Sequence, residues 1–320
     1  MRVLLTGASG FLGTALASKL ASKGNTVFGL SRHPPAPGRN LIPLLGDITQ
    51  PNLGLEEVPK GVHSVYHLAA IHKLGRDKDG DIWRTNVEGT ENVIDFCLEN
   101  KVRRLYFCST AYTIGEGRNI YEKSKILCEK LVKASGIPHV TIFKPSVVMG
   151  TKDYPYPGHF SQFVSIVIKI HQRAELVRRK IEGTLRLPVL EPVFRVKGNP
   201  EGRLNLVPVD LVIEAMAGIK KEGTYWLTNP NPPTLGTLVN WVGEFIMVKM
   251  KLVPYLKPTP IELLFQRLGS AFEPYLHGDD FPSDLKECPR ITREFIHEVV
   301  IQSLSSIDKG RNRVYNIGNR

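Results

Sequence analysis

Tyr121 and Lys125 stand four residues apart in "YEKSK", within a segment of helical apolar spacing, so one helix face carries both side chains. A phenol with its ordinary pKa near ~10 is a poor acid or base at neutral pH, and a neighbouring ammonium favours its ionised form. Eleven residues before Tyr121, "FCSTAYTIG" ends an apolar run with Ser109 and Thr110. A hydroxyl there can donate to a substrate oxygen on which negative charge develops. Asn86, in "RTNVEGT", is placed to fix a water or the backbone near Lys125. These types at this spacing fit proton transfer to or from a substrate oxygen. The same Tyr-x-x-x-Lys pair also occurs on ordinary surface helices, so its meaning depends on the elements around it.

The elements that must position these groups alternate. Apolar runs predict strands at 2–6, 26–31, 41–45, 63–68, 103–109 and 139–144. Helical spacing predicts helices over 11–23, 82–100 and 119–135, with a turn near 50–58. Strand alternating with helix implies an α/β fold, a doubly wound parallel sheet with both faces covered. After Gly150 the pattern changes to a proline-rich loop, "TKDYPYPGH", and a long amphipathic segment. Two short strands then flank an Asn-Pro-Glu-Gly turn within 192–210, and "GTYWL" reads as a last sheet strand followed by a loop and a helix. The expected organisation is a Rossmann domain over 1–150 completed by 204–230, and a smaller C-terminal substrate-binding lobe from 151–203 and 231–303. Residues 304–320 are expected to be a loose tail.

The first strand runs into "TGASGFLG", which places Gly7, Gly10 and Gly13 three residues apart before a helix. Strand, glycine turn and helix bring backbone N–H groups and a helix N-terminus to a pyrophosphate, with Ser9, Phe11 and Leu12 in the same turn. The second strand ends in "FGLSRHPP". An NAD site places an acid here for the ribose 2′-hydroxyl; Ser31 and Arg32 instead suit a 2′-phosphate, so NADP(H) is expected over NAD. Asp47, after the third strand, either meets the adenine edge or caps the following turn. Leu68, Ala69 and Ala70, after the fourth strand, are small enough for close backbone approach to a cofactor. A positively charged nicotinamide beside Tyr121 would favour the phenolate further.

Composition excludes several classes. The chain has 320 residues, 42% hydrophobic and 23% charged, as expected of a globular protein, and no apolar run reaches membrane-spanning length. No signal peptide is expected, and Cys97, Cys108, Cys128 and Cys288 form no CxxC pair, so they read as reduced thiols in a cytoplasmic protein. The nine histidines form no metal-ligand array, and no metal is expected. A net charge of +11 favours anionic partners: phosphorylated cofactors, coenzyme A, acidic carrier proteins or an anionic membrane surface. Nucleic acid is not expected, because no zinc module, RNP-type motif or long basic tract is present.

In order, "TGASGFLG", "GDI", "HLAA", "TNVEGT", "CSTA" and "YEKSK" resemble the extended branch of the short-chain dehydrogenase/reductase superfamily. The resemblance covers residues 1–150 and includes "KPSVVMG", similar to that family's nicotinamide-side loop. It implies Thr110, Tyr121 and Lys125 as a catalytic triad: Tyr121 as proton donor or acceptor, Lys125 on the nicotinamide ribose, Thr110 orienting the substrate oxygen. It further implies Ile48, Cys108, Ser109, Lys144, Pro145 and Val148 as cofactor neighbours, and a dimer through the helices after the fourth and fifth strands. Two tyrosines usual in nucleotide-sugar epimerases and dehydratases are replaced by Ile114 and Met149. "STAY" and "LNLVPVDLVIEAM" are more similar to thioester and fatty acyl-CoA reductases, as are "FEPYL" and "PRITREFI" more loosely. Only ten residues separate Thr110 from Tyr121, fewer than in most members.

The expected activity is therefore hydride transfer, with NADP(H), to or from a carbonyl, alcohol or acyl-thioester substrate. The alternatives are an epimerase or dehydratase reducing its cofactor transiently, and a binding protein that senses NADP(H) without turnover. On the substrate side, Phe160, Phe163, Val164, Ile166, Val167 and Ile170 precede a basic stretch, which suits an acyl chain on coenzyme A or a carrier. It equally suits an ordinary amphipathic helix with a solvated basic face. The segment 245–257 suits either peripheral membrane contact or a core helix running into a loop.

Overall fold

Short apolar runs that lack strict alternation are what a strand buried on both faces requires, and these runs lie side by side in the computed structural model. It describes residues 1–75, 77–156, 158–185, 193–299 and 301. In chain order, β1 (Arg2–Thr6) leads into α1 (Phe11–Ser22), then come β2 (Thr26–Ser31), β3 (Leu41–Leu45) and β4 (Ser64–His67). Helices α2 (Asp81–Trp83) and α3 (Gly89–Glu99) are followed by β5 (Arg104–Cys108), α4 (Ile120–Ala134), β6 (His139–Pro145) and β7 (Val147–Met149). The rest comprises α5 (Gly158–Leu185), β8 (Phe194–Lys197), β9 (Leu206–Pro208), α6 (Val209–Gly218), β10 (Gly223–Leu227), α7 (Leu235–Phe245), β11 (Met250–Val253) and α8 (Pro260–Leu268).

Seven strands form one parallel sheet in the order β10-β6-β5-β4-β1-β2-β3. The chain winds outward in both directions from β1 and β4, so the crevice beyond their C-terminal ends is the topological switch point, where open α/β sheets bind ligands. Register is held by side chains as well as backbone: the rings of Tyr66, Tyr106 and Phe143, on three adjacent strands, stack with centroids 4.1 and 5.9 Å apart. The core between sheet and helices is apolar, from Leu4 and Phe28 through Val65 and Phe107 to Ile142.

The chain divides into two units. The first comprises Met1–Val148, Val207–Pro230 and Phe281–Cys288; the second comprises Met149–Leu206, Asn231–Asp280 and the described residues from Pro289 on. Residues 281–288, expected in the substrate lobe, belong to the first unit. Trp226 and Asp284 exchange two hydrogen bonds (Trp226 N–H to Asp284 Oδ2 at 2.7 Å, Asp284 N–H to Trp226 O at 2.9 Å). Thr228 donates to Pro282 O, and Phe281 packs against Trp226 and Tyr112. In the second unit β8 pairs with β11, Phe163 meets Phe265 and Phe272 edge-on, and Phe194 meets Phe265 in the same way.

One expectation needs correction: the helix anticipated over 82–100 is interrupted by a π-helical turn, Arg84–Glu88, whose cause lies in the bonds of Asn86 described below. The two strands expected around the Asn-Pro-Glu-Gly turn are β8, which pairs with β11, and β9, which pairs with β7. Among the described residues no helix is long and apolar enough to cross a membrane. The tail expected over 304–320 lies outside the described residues.

Candidate active site

The glycine turn is built so tightly that side chains are excluded. Gly7 has φ of +73°, and a Cβ on it would lie 2.7 Å from the Ala69 nitrogen. A Cβ on Gly13 would lie 2.0 Å from the Gly7 carbonyl oxygen. Gly10 donates to Gly7 O at 3.0 Å and forms the N-cap of α1, which no side chain caps. Ser9 is exposed; Phe11 and Leu12 are half-buried. Backbone N–H groups at the start of α1 are thereby held at the C-terminal edge of β1, the arrangement a pyrophosphate needs.

At the end of β2, Ser31 is buried and its hydroxyl has no hydrogen-bond partner among the described residues. A buried hydroxyl is seldom left unpaired, so this one is available to a ligand. Arg32 beside it is exposed, with no acid in the position that an NAD ribose would use. The chain's cradle and this orphan hydroxyl fit a dinucleotide. Asp47 closes an Asx turn: its Oδ1 accepts from Thr49 N–H and from the Thr49 hydroxyl, both at 2.9 Å. Ile48 is buried, and its carbonyl accepts from Asn92 at 2.8 Å.

Asn86 is buried and fully engaged. Its Oδ1 accepts from Ile71 N–H at 2.8 Å, while its Nδ2 donates to Ile71 O and to Ser124 Oγ at 2.9 Å. Ser124 in turn donates to Tyr121 O at 2.7 Å. Asn86 thus ties the segment after Leu68, Ala69 and Ala70 to the first turns of α4. It fixes the Ile71 backbone and Ser124, the residue before Lys125.

Lys125 is 3% exposed. Its Nζ donates to Cys108 O at 2.8 Å and sits 4.7 Å from the Phe107 ring centroid. Burial lowers its ammonium pKa, partly offset by Cys108, Cys128 and Glu129. The Cys108 thiol is pushed up to about 11 by burial, which disfavours its thiolate. Tyr121, one helical turn before Lys125, is 8% exposed, and the His72 ring packs on it with centroids 4.5 Å apart. The first turn of α4 is fixed by a cap: Asn119 Oδ1 accepts from Glu122 N–H at 3.0 Å, and Glu122 accepts from Arg118 N–H at 2.7 Å. Thr110 is buried, accepting from Tyr112 N–H at 3.3 Å and lying 3.5 Å from Pro145 O. Its position is the strand end immediately after β5.

Ser109 and Lys144 point into the protein. The Ser109 hydroxyl donates to Glu129 Oε1, Thr113 donates to the same oxygen at 2.9 Å, and Lys144 Nζ meets Glu129 Oε2 at 3.0 Å. Lys144 also lies 4.7 Å from the Trp226 ring centroid. This cluster, unread in the sequence, secures the loop after β5 to α4 and β6; Val148, further on, is half-buried.

His67, not among the residues expected at the site, is buried. Ala69 N–H donates to Thr6 Oγ1 (3.3 Å), Thr6 pairs with His67 Nδ1 (2.7 Å), His67 Nε2 with Thr90 Oγ1 (3.0 Å), and Thr90 donates to Asn86 O. Each hydroxyl donates onward, which assigns the Nε2–H tautomer. The chain links the end of β1, at the switch point, to the residue that holds α4.

The profile of the NAD dependent epimerase/dehydratase family matches residues 3–184. Short-chain dehydrogenase/reductase family 42E member 1 of Danio rerio is 25% identical over 240 residues, covering 66% of this chain and 56% of that protein. The 4-hydroxy-2-methyl-3-oxo-4-farnesyl-3,4-dihydroquinoline-1-oxide ketoreductase of Stigmatella aurantiaca is 29% identical over 178 residues, covering 48% and 52%. The chain thus spans about half the length of the curated relatives it matches. A short-chain dehydrogenase/reductase superfamily protein from Agrobacterium tumefaciens, solved with bound NAD, shares the fold with a TM-score of 0.64 at 19% identity, covering 98% of this chain and 100% of that one. With its parallel sheet, glycine turn and Tyr-Lys helix in that family's order, the chain belongs to the NAD dependent epimerase/dehydratase family, in the extended branch of the short-chain dehydrogenase/reductase superfamily.

Proposed function

We propose that the chain is an NADP(H)-dependent oxidoreductase acting on a carbonyl, alcohol or acyl-thioester carbon, with Tyr121, Lys125 and Thr110 as its catalytic residues. The observation that carries the reading is the buried ammonium of Lys125, bonded to Cys108 O one helical turn after Tyr121, at the C-terminal edge of the sheet. Bound along that edge, the nucleotide supplies or accepts a hydride. The remaining work is the protein's. Tyr121 gives its hydroxyl proton to the substrate oxygen in reduction and takes it back in oxidation. The Lys125 charge lowers the cost of the phenolate left behind. As charge builds on that oxygen, Thr110 turns its one hydroxyl proton to it from the long bond to Pro145 O. Asn86 keeps α4 in register through Ser124.

Ser31 and Arg32 support NADP(H) over NAD, since a 2′-phosphate offers acceptors to an unpaired hydroxyl and an exposed guanidinium. Replacement of two epimerase tyrosines by Ile114 and Met149, and the likeness of "STAY" to thioester reductases, support net redox chemistry. The test is a fluorescence titration with NADPH and NADH, followed by an NADPH-oxidation screen over aldehydes, ketones and acyl thioesters. Saturable, tighter binding of NADPH and oxidation coupled to one substrate class are expected. Absence of nucleotide binding would overturn the reading. Tightly held nucleotide with substrate conversion but no net consumption would instead identify an isomerase or lyase.

A further inference from the structure

Helix α5 contains 28 residues, about 42 Å at 1.5 Å per residue, and its two halves differ. In the first half Phe160, Val164, Val167 and Ile170 recur at helical spacing and are 9%, 0%, 1% and 0% exposed. Phe163 beside them meets the rings of Phe265 and Phe272. The same spacing carried on from Ile170 passes through Ala174, Val177 and Ile181, so the apolar stripe continues. The burial does not. From His171 to Thr184 no residue is buried, and Val177 and Ile181 are 57% and 42% exposed.

The charges beside this uncovered stripe are sorted. Lys169, Arg173 and Lys180, separated by four and seven residues, form a basic row adjoining Val177 and Ile181. The acids lie on the opposite flank, where Glu175 and Glu182 hold Arg178 at 2.8 and 2.7 Å. The net charge of +11 opposes a second copy of the chain and favours an anionic surface. An anionic lipid surface is the complement of both features: apolar side chains entering the headgroup boundary, and a row of cations on lipid phosphates.

We propose that the C-terminal half of α5 is a docking surface for an anionic lipid bilayer, with Val177 and Ile181 inserted and Lys169, Arg173 and Lys180 on the headgroups. The experiment is co-sedimentation of the full chain with phosphatidylcholine vesicles, with and without phosphatidylserine, at low and high salt. Binding only to the phosphatidylserine vesicles, weakened by salt, is expected. Arg173→Gln with Lys180→Gln should weaken it about thirtyfold, from roughly fivefold per cation near an anionic surface. Val177→Glu with Ile181→Glu should weaken it at least about tenfold, with an unchanged circular dichroism spectrum showing that the helix still folds. No binding by the folded full chain, or binding by both double variants equal to that of the unmodified chain, overturns the proposal. So does a dimer that Val177→Glu with Ile181→Glu dissociates, since a second copy would then cover the stripe.

Discussion

Acid should unfold this protein through His67 in a way that one substitution can isolate. The imidazole is 1% exposed, and burial, reinforced by the Lys125 charge, pushes its pKa from 6.5 down to about 3. A second ring proton on Nδ1 would meet the proton that Thr6 donates there, and could be accepted only if the Thr6 hydroxyl turned away and lost its own acceptor. The neutral form is therefore bound by the fold, and the unfolded chain takes up a proton first. This contribution is fully present above pH 6.5 and is lost as pH falls toward 3, with a limiting slope of about 1.4 kcal/mol per pH unit. Between pH 6.5 and 4 it amounts to about 3 kcal/mol, a large part of a typical domain's stability. The assay is urea unfolding of the unmodified protein and of His67→Asn at half-unit pH intervals. The variant will be less stable throughout, but its pH profile should lack the His67 slope, since every other titrating group is common to both. Parallel profiles would refute both the depressed imidazole and its neutral role in the Thr6–Thr90 chain.

Glu129→Gln should destabilise by about 3–5 kcal/mol in urea titrations, because it leaves the buried Lys144 ammonium without its carboxylate; a loss under 1 kcal/mol would show that the pair is solvated. Gly13→Ala forces a Cβ into the Gly7 carbonyl, and should weaken NADPH binding at least about tenfold while lowering Tm, since overpacking of this kind costs about 1–3 kcal/mol. Arg32→Ala should shrink the preference for NADPH over NADH by about ten- to hundredfold, the worth of one charge-assisted hydrogen bond, and equal affinities in the unmodified protein would already contradict the role given to Ser31 and Arg32.

What could be read from residues alone followed from local rules. Buried parallel strands announce themselves as apolar runs, and the glycine turn is legible because close backbone approach excludes every other residue. The π-helical turn at Arg84–Glu88 was not legible, because it is set by Asn86 bonding Ile71 and Ser124 across 15 and 38 residues, which no periodicity records. Nothing in the sequence marks Glu129, whose burial depends on Ser109, Thr113 and Lys144 arriving from separate segments. The inward turn of Ser109 and Lys144 has the same origin. Asp47 carried two readings because an Asx turn and a ligand contact use the same carboxylate. The sequence does carry one local signal for the start of α4: Asn119-x-x-Glu122 has the capping-box spacing.

The central claim is that Tyr121 carries the proton, and Tyr121→Phe tests it directly, with Kd for NADPH by fluorescence and kcat on the substrate class found in the oxidation screen measured on the same preparation. Removing one hydroxyl from a packed ring should leave Kd unchanged and lower kcat by about 10²–10⁴-fold. A variant that binds NADPH as before and turns over at the unmodified rate would contradict the account.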